Sequence, residues 1–132
     1  MNIEDFREYC LSLGDVEEKL PFAKMPGGDS VLVFYTGGHT FCYCNIDDFK
    51  TVIVKCQPER IPELMESTKG VCPPDSHFNT KYWIGLEVHV IENELLKELV
   101  TNSYEIVRPK NKKNVKLGKK QVKNSVSLSE TQ

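Results

Sequence analysis

The stretch HFNTKYWIGLEV, residues 77–88, contains the only tryptophan of the chain and alternates in the manner of a β-strand. Side chains along a strand point alternately to opposite faces, so Ile84 and Leu86 are predicted to share one apolar face. Trp83 then lies on the other face, with polar neighbours such as Lys81. A large aromatic side chain on the polar face indicates either a second small core or a surface that contacts a partner.

The chain before this stretch is predicted to fold as a helix, a loop and three strands. Apolar residues at helical spacing run over residues 3–13. Residues 14–30 are rich in Gly and Pro and are predicted to form a loop, with Phe22 at the edge of the core. The dipeptide Gly37-Gly38 suits a two-residue hairpin turn. It joins the first two of three predicted strands, which cover residues 31–36, 39–45 and 51–56.

The second half of the chain is predicted to contain two helices and two more strands. A helix over residues 58–69 opens at Pro58, since proline is tolerated in the first turn. After the connector GVCPPDS, a short strand at 77–79 and a longer strand from Lys81 lead to a last helix over residues 93–102. The order is α-β-β-β-α-β-β-α. Strands in consecutive runs predict an α+β domain with a mostly antiparallel sheet.

Charge divides the chain into an acidic body and a basic end. Residues 1–107 contain nine Lys and Arg against eighteen Asp and Glu, a balance of −9. Residues 108–132 contain eight Lys and Arg against Glu130 alone, a balance of +7. High charge with few apolar residues predicts disorder. We therefore expect a folded domain at residues 1–108 and a basic, disordered tail at residues 109–132.

Composition and motifs narrow the class of protein. The chain is 39% hydrophobic and 27% charged, which is typical of a single globular domain. It shows neither a membrane-length apolar run nor a signal peptide, so a cytoplasmic location is expected. The five cysteines lack metal-ligand spacing, so we expect reduced thiols and no metal or other cofactor. Nucleotide-binding and catalytic motifs are also absent from the sequence, so no enzyme activity is expected.

Four stretches of the chain carry a family resemblance. In order they are FREYCLSLGDVEEKLPF, GHTFCYCNID, VKCQPERIPELMES, and HFNTKYWIGLEV followed by SYEIV. Together they resemble the MmcQ/YjbR family, and the Asn-x-Lys-x-Trp motif of Asn79, Lys81 and Trp83 is the most specific part. The resemblance implies an α+β fold of the kind compared with frataxin-like and secretion-chaperone-like proteins. It also implies DNA binding, because members of the family are commonly described as DNA-binding.

This resemblance and the position of Trp83 suggest a nucleic-acid-binding surface. Trp83 would stack on a base and Lys81 would contact phosphate, because aromatic and basic side chains together bind single strands. The supporting residues on the folded domain are His39, His77 and Asn79. Salt-dependent phosphate contacts would come from the tail lysines, among them Lys110, Lys112 and Lys113.

The chain departs from the usual family motif at three positions. Many relatives carry a second basic residue at the position of Thr80 and a histidine at that of Tyr82. Relatives often have lysine where this chain has His39. Each difference removes or weakens a positive charge on the proposed surface.

Structural roles are the alternatives for the same residues. Trp83 also fits a second small core beneath the loop at residues 20–30, packed against Phe22 or Tyr104. Asn79 also fits a turn in which its side chain bonds nearby backbone. The tail also fits a solubilising terminus without a binding role.

The leading hypothesis from the sequence is a non-enzymatic module that binds DNA weakly and in a salt-sensitive manner. The alternative, from a different class, is a protein-interaction or chaperone-like adaptor that uses the sheet face. A monomer is favoured, and no membrane contact is expected.

Overall fold

A six-stranded sheet and three helices make up the fold in a computed structural model, which describes residues 1–108. The elements are α1 (Ile3–Leu11), β1 (Val16–Lys19), β2 (Val31–Thr36), β3 (His39–Asn45), β4 (Thr51–Lys55), α2 (Ile61–Ser67), β5 (Val71–Cys72), β6 (Trp83–Glu87) and α3 (Asn93–Val107). The strand order is β1-β2-β3-β4-β6-β5, and all neighbours are antiparallel. The predicted α+β class and mostly antiparallel sheet are confirmed. The predicted basic tail, with Lys110, Lys112 and Lys113, lies outside the described residues.

The helices pack on one face of the sheet and seal the main hydrophobic core. α3 packs against β3 and β4, and α1 packs against β1. The rings of Phe6 and Phe34 meet edge to face with centroids 6.0 Å apart. Ile84 and Leu86 are fully buried in this core, which confirms the apolar face predicted for their strand. Burying an aliphatic side chain of this size contributes about 1.5–3 kcal/mol.

The hairpin of β2 and β3 has the predicted boundaries. Gly37 and Gly38 have φ angles of 60° and 83°, a left-handed conformation that suits a two-residue hairpin turn. An irregularity in the register between Phe34 and Tyr35 leaves Phe41 without a partner on β2. Such a bulge redirects side chains, and Phe41 is fully buried in the core.

The predicted loop at residues 14–30 contains an edge strand that the sequence did not indicate. β1 pairs antiparallel with β2 and places Glu18 opposite Phe34. Arg7, on α1, donates from Nε to the Glu18 carboxylate at 2.8 Å. Phe22 is 39% exposed, so the prediction that it packs at the edge of the core is also wrong. The observed order is α-β-β-β-β-α-β-β-α.

The segment before the tryptophan-containing strand differs from its prediction. β5 forms within the predicted connector, the strand expected at residues 77–79 does not form, and β6 begins at Trp83 instead of Lys81. The backbone N–H groups of Tyr82 and Trp83 donate to the Asn79 carbonyl oxygen at 3.1 and 3.0 Å. The Asn79 side chain accepts from the Lys81 N–H at 2.9 Å. The turn role that was the alternative for Asn79 is confirmed.

α2 is shorter than predicted. It covers Ile61–Ser67 instead of residues 58–69. Pro62 lies in its first turn, where backbone N–H groups have no acceptor within the helix, so proline costs no hydrogen bond there. The Arg60 N–H donates to the Gln57 carbonyl oxygen at 3.0 Å. The residues before Ile61 therefore form a turn that leads into the helix.

α3 is longer than predicted, because it ends at Val107 and not at residue 102. Ser103 is fully buried and joins the helix to the sheet. Its Oγ donates to the Phe41 carbonyl oxygen at 2.6 Å and accepts from the Lys55 N–H at 2.9 Å. These two bonds satisfy a buried polar group and hold the last turns of α3 against β3 and β4.

Candidate binding site on the open face of the sheet

The second face of the sheet, which we call the open face, is not covered by any helix of the described chain. The strand register places Tyr43, Ile53 and Gly85 side by side on β3, β4 and β6. Val33 is 1% exposed but lies outside the helix-side core. Trp83 is half-buried and shares the open face with Gly85, two residues further along β6. The prediction that the indole points away from the aliphatic core is confirmed.

Three rings pack together on the open face, and we call Tyr43, Phe78 and Trp83 the aromatic cluster. Centroid distances are 4.7 Å for Tyr43–Phe78, 5.7 Å for Tyr43–Trp83 and 5.3 Å for Phe78–Trp83. Steeply inclined ring planes of this kind are favourable for aromatic pairs. Trp83 thus belongs to a second small core, but the predicted partners are wrong. Tyr104 lies in the helix-side core, and no described ring contact joins Phe22 to Trp83.

The ammonium group beside the indole belongs to Lys55 and not to Lys81. Lys55 is directly opposite Trp83 on β4, and its Nζ lies 5.5 Å from the indole centroid. Lys81 lies in the turn before β6, with its Nζ 5.7 Å from the ring centroid of Tyr82. Side chains opposite each other on antiparallel strands interact directly. The pairing of β4 with β6 carries no local sequence signal, so the sequence did not single out Lys55.

The other residues predicted for the site are not gathered around Trp83. His77 is exposed, and its Nδ1 lies 3.3 Å from Oδ1 of Asp75. His39 is exposed at the start of β3, and no described hydrogen bond, ion pair or ring contact joins it to Trp83. Asn79 uses its side chain within the turn. Trp83 is therefore the member of the predicted binding residues on the domain that belongs to the aromatic cluster.

A groove of about 860 Å³ lies on the open face beside the aromatic cluster, and we call it the open-face groove. Tyr43 and Ile53 line it from the sheet. Phe22 and Met25 line it from the loop between β1 and β2, and they are 39% and 59% exposed. A volume of this size is in the usual range for ligand sites. The remaining apolar residues that line the groove are Pro26, Val31, Pro73, Pro74 and Phe78.

Two glycines beside the groove allow close backbone contacts, one within the loop between β1 and β2 and one between β6 and the Cys72–Pro73 segment. A Cβ on Gly28 would lie 2.2 Å from the Phe22 carbonyl oxygen. A Cβ on Gly85 would lie 2.9 Å from Sγ of Cys72 and 3.1 Å from the Pro73 carbonyl oxygen. A glycine inside a strand is a known signal of such close approach. Gly85 is therefore the sequence feature that could have indicated this site.

The groove carries both charges and a thiol. Asp48 and Asp75 line it, together with Lys50, whose Nζ lies 3.8 Å from Oδ1 of Asp48. The Cys72 thiol also lines the groove, and burial raises its pKa. On the helix side, burial raises the pKa of Cys44 to about 12. These thiols are protonated at neutral pH, and a protonated thiol is a poor nucleophile.

Metal-binding clusters and membrane spans are both missing from residues 1–108. In that range no group of three or more His, Cys, Asp or Glu side chains is arranged to hold a metal ion. None of the helices in the same range combines the length and the apolar character that crossing a bilayer requires.

Comparison with known proteins places this fold among relatives. The sequence model of the YjbR family matches residues 11–106. A Deinococcus radiodurans protein with a DUF419 domain has a similar structure, with a TM-score of 0.70 and 28% identity over 86% of this chain and 80% of that one. A Pseudomonas syringae protein gives a TM-score of 0.67 and 21% identity over 82% of this chain and 100% of that one, a likeness of fold alone. No curated protein matches the chain.

Proposed function

The chain belongs to the YjbR family, and on that premise we propose that its domain is a non-enzymatic binding module whose open-face groove holds a protein partner. The observation that carries this proposal is the exposure of Phe22 and Met25 beside an apolar groove of about 860 Å³. Contiguous exposed apolar surface lowers the solubility of a protein. It is therefore rare on protein surfaces except where a partner covers it. This is the adaptor function that the sequence offered as its alternative.

The construction of the groove also supports a binding role. Gly28 and Gly85 let the segments beside the groove pack closely against neighbouring backbone, so contacts within the domain hold the walls of the groove. A site that is already formed loses less conformational entropy on binding. The aromatic cluster supports the Tyr43 side of the groove, because Trp83 contacts both Tyr43 and Phe78.

The chemistry of the polar groups favours binding over catalysis. Burial raises the pKa of Cys72 in the groove, so this thiol is a weak nucleophile at neutral pH. His77 is exposed and its neighbour among the carboxylates is Asp75, two residues away on the same loop. A general base needs a nucleophile in reach, and none of the described contacts supplies one to His77.

A capture experiment with two charge variants tests the groove as a protein-binding site. Met25→Asp places a charge in the groove at a side chain that is 59% exposed, so the fold should tolerate it. Val90→Asp is the matched control, because Val90 is 49% exposed and does not line the groove. We expect the wild type and Val90→Asp to capture the same protein from a cell extract and Met25→Asp to lose it. Capture by Met25→Asp at the wild-type level would contradict the proposal.

DNA binding is a second candidate function, favoured by the position of Lys55. Its Nζ lies 5.5 Å from the centroid of the half-buried indole of Trp83 on the open face. Proteins that bind single-stranded nucleic acids use basic side chains to contact phosphate and aromatic rings to stack on bases. The lysines of residues 109–132 would add contacts to phosphate. The balance of −9 over residues 1–107 opposes this attraction, so binding should be weak and salt-sensitive.

A salt titration of DNA binding by the full chain tests this second candidate. Lys55→Gln should weaken binding and reduce the slope of log K against log salt by about 0.7, the value for one single-strand phosphate contact. Lys97→Gln is the matched control, since Lys97 also lies over an aromatic ring, that of Tyr9, at 5.7 Å. Equal effects of the two substitutions, or no binding at low salt, would rule out a DNA site at Trp83.

A further inference from the structure

The floor of the open-face groove consists of strands whose backbone groups already have partners. β3 pairs with both β2 and β4, and β4 pairs with both β3 and β6. Tyr43 and Ile53, opposite each other on β3 and β4, line the groove from this floor. A strand that is paired on both sides has no open edge to which a partner could add a strand. An occupant of the groove is therefore recognised mainly by its side chains.

Two carboxylates line the groove, and they differ in their partners. Nζ of Lys50 lies 3.8 Å from Oδ1 of Asp48, so this carboxylate has a cation beside it. Asp75 forms no ion pair with a Lys or Arg of residues 1–108. Its Oδ1 accepts from the His77 N–H at 2.9 Å, and its side chain is 59% exposed. Asp75 is thus a carboxylate of the groove that can pair with a cation from a partner.

The Asp75 carboxylate stands close to the aromatic cluster. The Phe78 N–H donates to the Asp75 carbonyl oxygen at 3.1 Å, so the two residues belong to one tight turn. The Phe78 ring packs against Tyr43 with centroids 4.7 Å apart. A cation is stabilised by a carboxylate and, within about 6 Å, by the face of an aromatic ring. The part of the groove around Asp75 and Phe78 therefore suits an arginine or lysine side chain.

Apolar surface and a negative domain charge accompany this carboxylate. Phe22 and Met25 expose apolar surface in the same groove, and Ile53 adds to it from the sheet. Residues 1–107 carry a balance of −9, which attracts a basic partner from a distance. A partner that matches both features has apolar side chains and a positive charge within one segment.

We propose that the open-face groove binds a protein segment in which a basic side chain stands next to apolar ones, with the basic side chain on Asp75. The apolar side chains of the segment cover Phe22 and Met25. This inference rests on the proposed function and adds to it the chemistry of the partner. The contact with Asp75 is an ion pair, so high salt should weaken it.

Selection from a library of short random peptides displayed on phage, with the full chain as bait, tests this inference. We expect the peptides selected by the wild type to be enriched in Arg or Lys beside apolar residues. Asp75→Asn should select apolar peptides without this enrichment, because the amide keeps an oxygen for the His77 N–H but loses the charge. Asp5→Asn is the matched control, since Asp5 is exposed on α1, on the helix side of the sheet. It should select the same basic peptides as the wild type.

Calorimetric titration with one peptide from the wild-type selection measures the strength of the contact. Asp75→Asn should bind this peptide about fivefold more weakly, the upper value for a partly exposed ion pair. Its affinity should also depend less on salt than that of the wild type. Met25→Ser should weaken binding as well, because the groove loses apolar surface without a change in charge.

Two results would overturn the inference. The first is a set of selected peptides without enrichment of Arg or Lys, and the second is equal affinity of Asp75→Asn and the wild type. If Met25→Ser still weakens binding in either case, the proposed function stands and only the chemistry assigned to the partner is wrong. Peptide binding that Met25→Ser does not change would instead contradict the groove as the binding site, and a wild type that selects no peptide would contradict both proposals.

Discussion

At the scale of single residues, Gly85 determines how closely the Cys72–Pro73 segment lies against β6. The sequence pattern alone permits any side chain at this open-face position. The structure requires glycine, because a Cβ there would lie 2.9 Å from Sγ of Cys72 and 3.1 Å from the Pro73 carbonyl oxygen. The sulfur is part of a side chain that can move, but the carbonyl oxygen belongs to backbone that is fixed by its neighbours.

Gly85→Ala is therefore expected to destabilise the fold by about 1–3 kcal/mol, the usual cost of overpacking. Urea unfolding measures the difference. Cys72→Ala removes the sulfur, so the double variant should lose less stability than the sum of the two single variants. Strict additivity of the two substitutions would contradict the close contact between these positions.

The contact between Arg7 and Glu18 should make the stability of the fold depend on pH. The hydrogen bond from Arg7 is the main reason why the pKa of Glu18 is lowered. An unfolded Glu has a pKa of about 4.3. Because the folded value is lower, the pair stabilises the fold above that pH, and the contribution is lost as the pH falls through the folded pKa. The side chains are 41% and 24% exposed, so solvent screening limits the effect.

Arg7→Gln is expected to lower the free energy of unfolding by at most about 1 kcal/mol at neutral pH. The difference from the wild type should shrink as the pH is lowered below about 4. Urea unfolding at several pH values measures it. Lys50→Gln is the control, because the Lys50–Asp48 pair is longer, at 3.8 Å, and more exposed. A difference between Arg7→Gln and wild type that is constant from neutral to acidic pH would refute the assigned role of Glu18.

At the scale of elements, the outcome of each prediction depended on whether its signal was local. The hairpin of β2 and β3 was predictable because Gly37-Gly38 and the flanking alternation are local features. β1 was not, because VEEK has one apolar residue and forms a strand only through pairing with β2. The neighbours of Trp83 were not predictable either, since Tyr43 and Lys55 reach it through the register of the sheet.

The end of α3 also depends on contacts with residues that are distant in the sequence, and a substitution there should measurably change stability. Ser103 joins α3 to both β3 and β4 through two hydrogen bonds inside the core. Ser103→Ala leaves a buried backbone carbonyl and N–H without that partner, so we expect a loss of about 1–3 kcal/mol in unfolding free energy. Ser67→Ala, on the exposed last turn of α2, serves as the control and should change stability little. Equal stability of the two variants would show that the Ser103 bridge contributes nothing.

At the scale of the whole molecule, the two faces of the sheet are built differently. The helix side is closed by a large apolar core. The open face has a smaller aromatic cluster and leaves Phe22 and Met25 exposed beside the groove. The sequence correctly placed Trp83 on the face opposite to the buried side chains of Ile84 and Leu86. The groove itself could not be predicted, because two loops distant in sequence form it.

The fluorescence of Trp83 provides the most direct measurement of the central claim that the open-face groove binds a protein. Trp83 is the only tryptophan, and it contacts Tyr43 and Phe78, which both line the groove. When the captured partner is titrated into the full chain, we expect a saturable change in indole emission for the wild type and for Val90→Asp, and none for Met25→Asp. A partner that binds by calorimetry while the emission of the wild type stays constant, or that titrates Met25→Asp like the wild type, would contradict the claim.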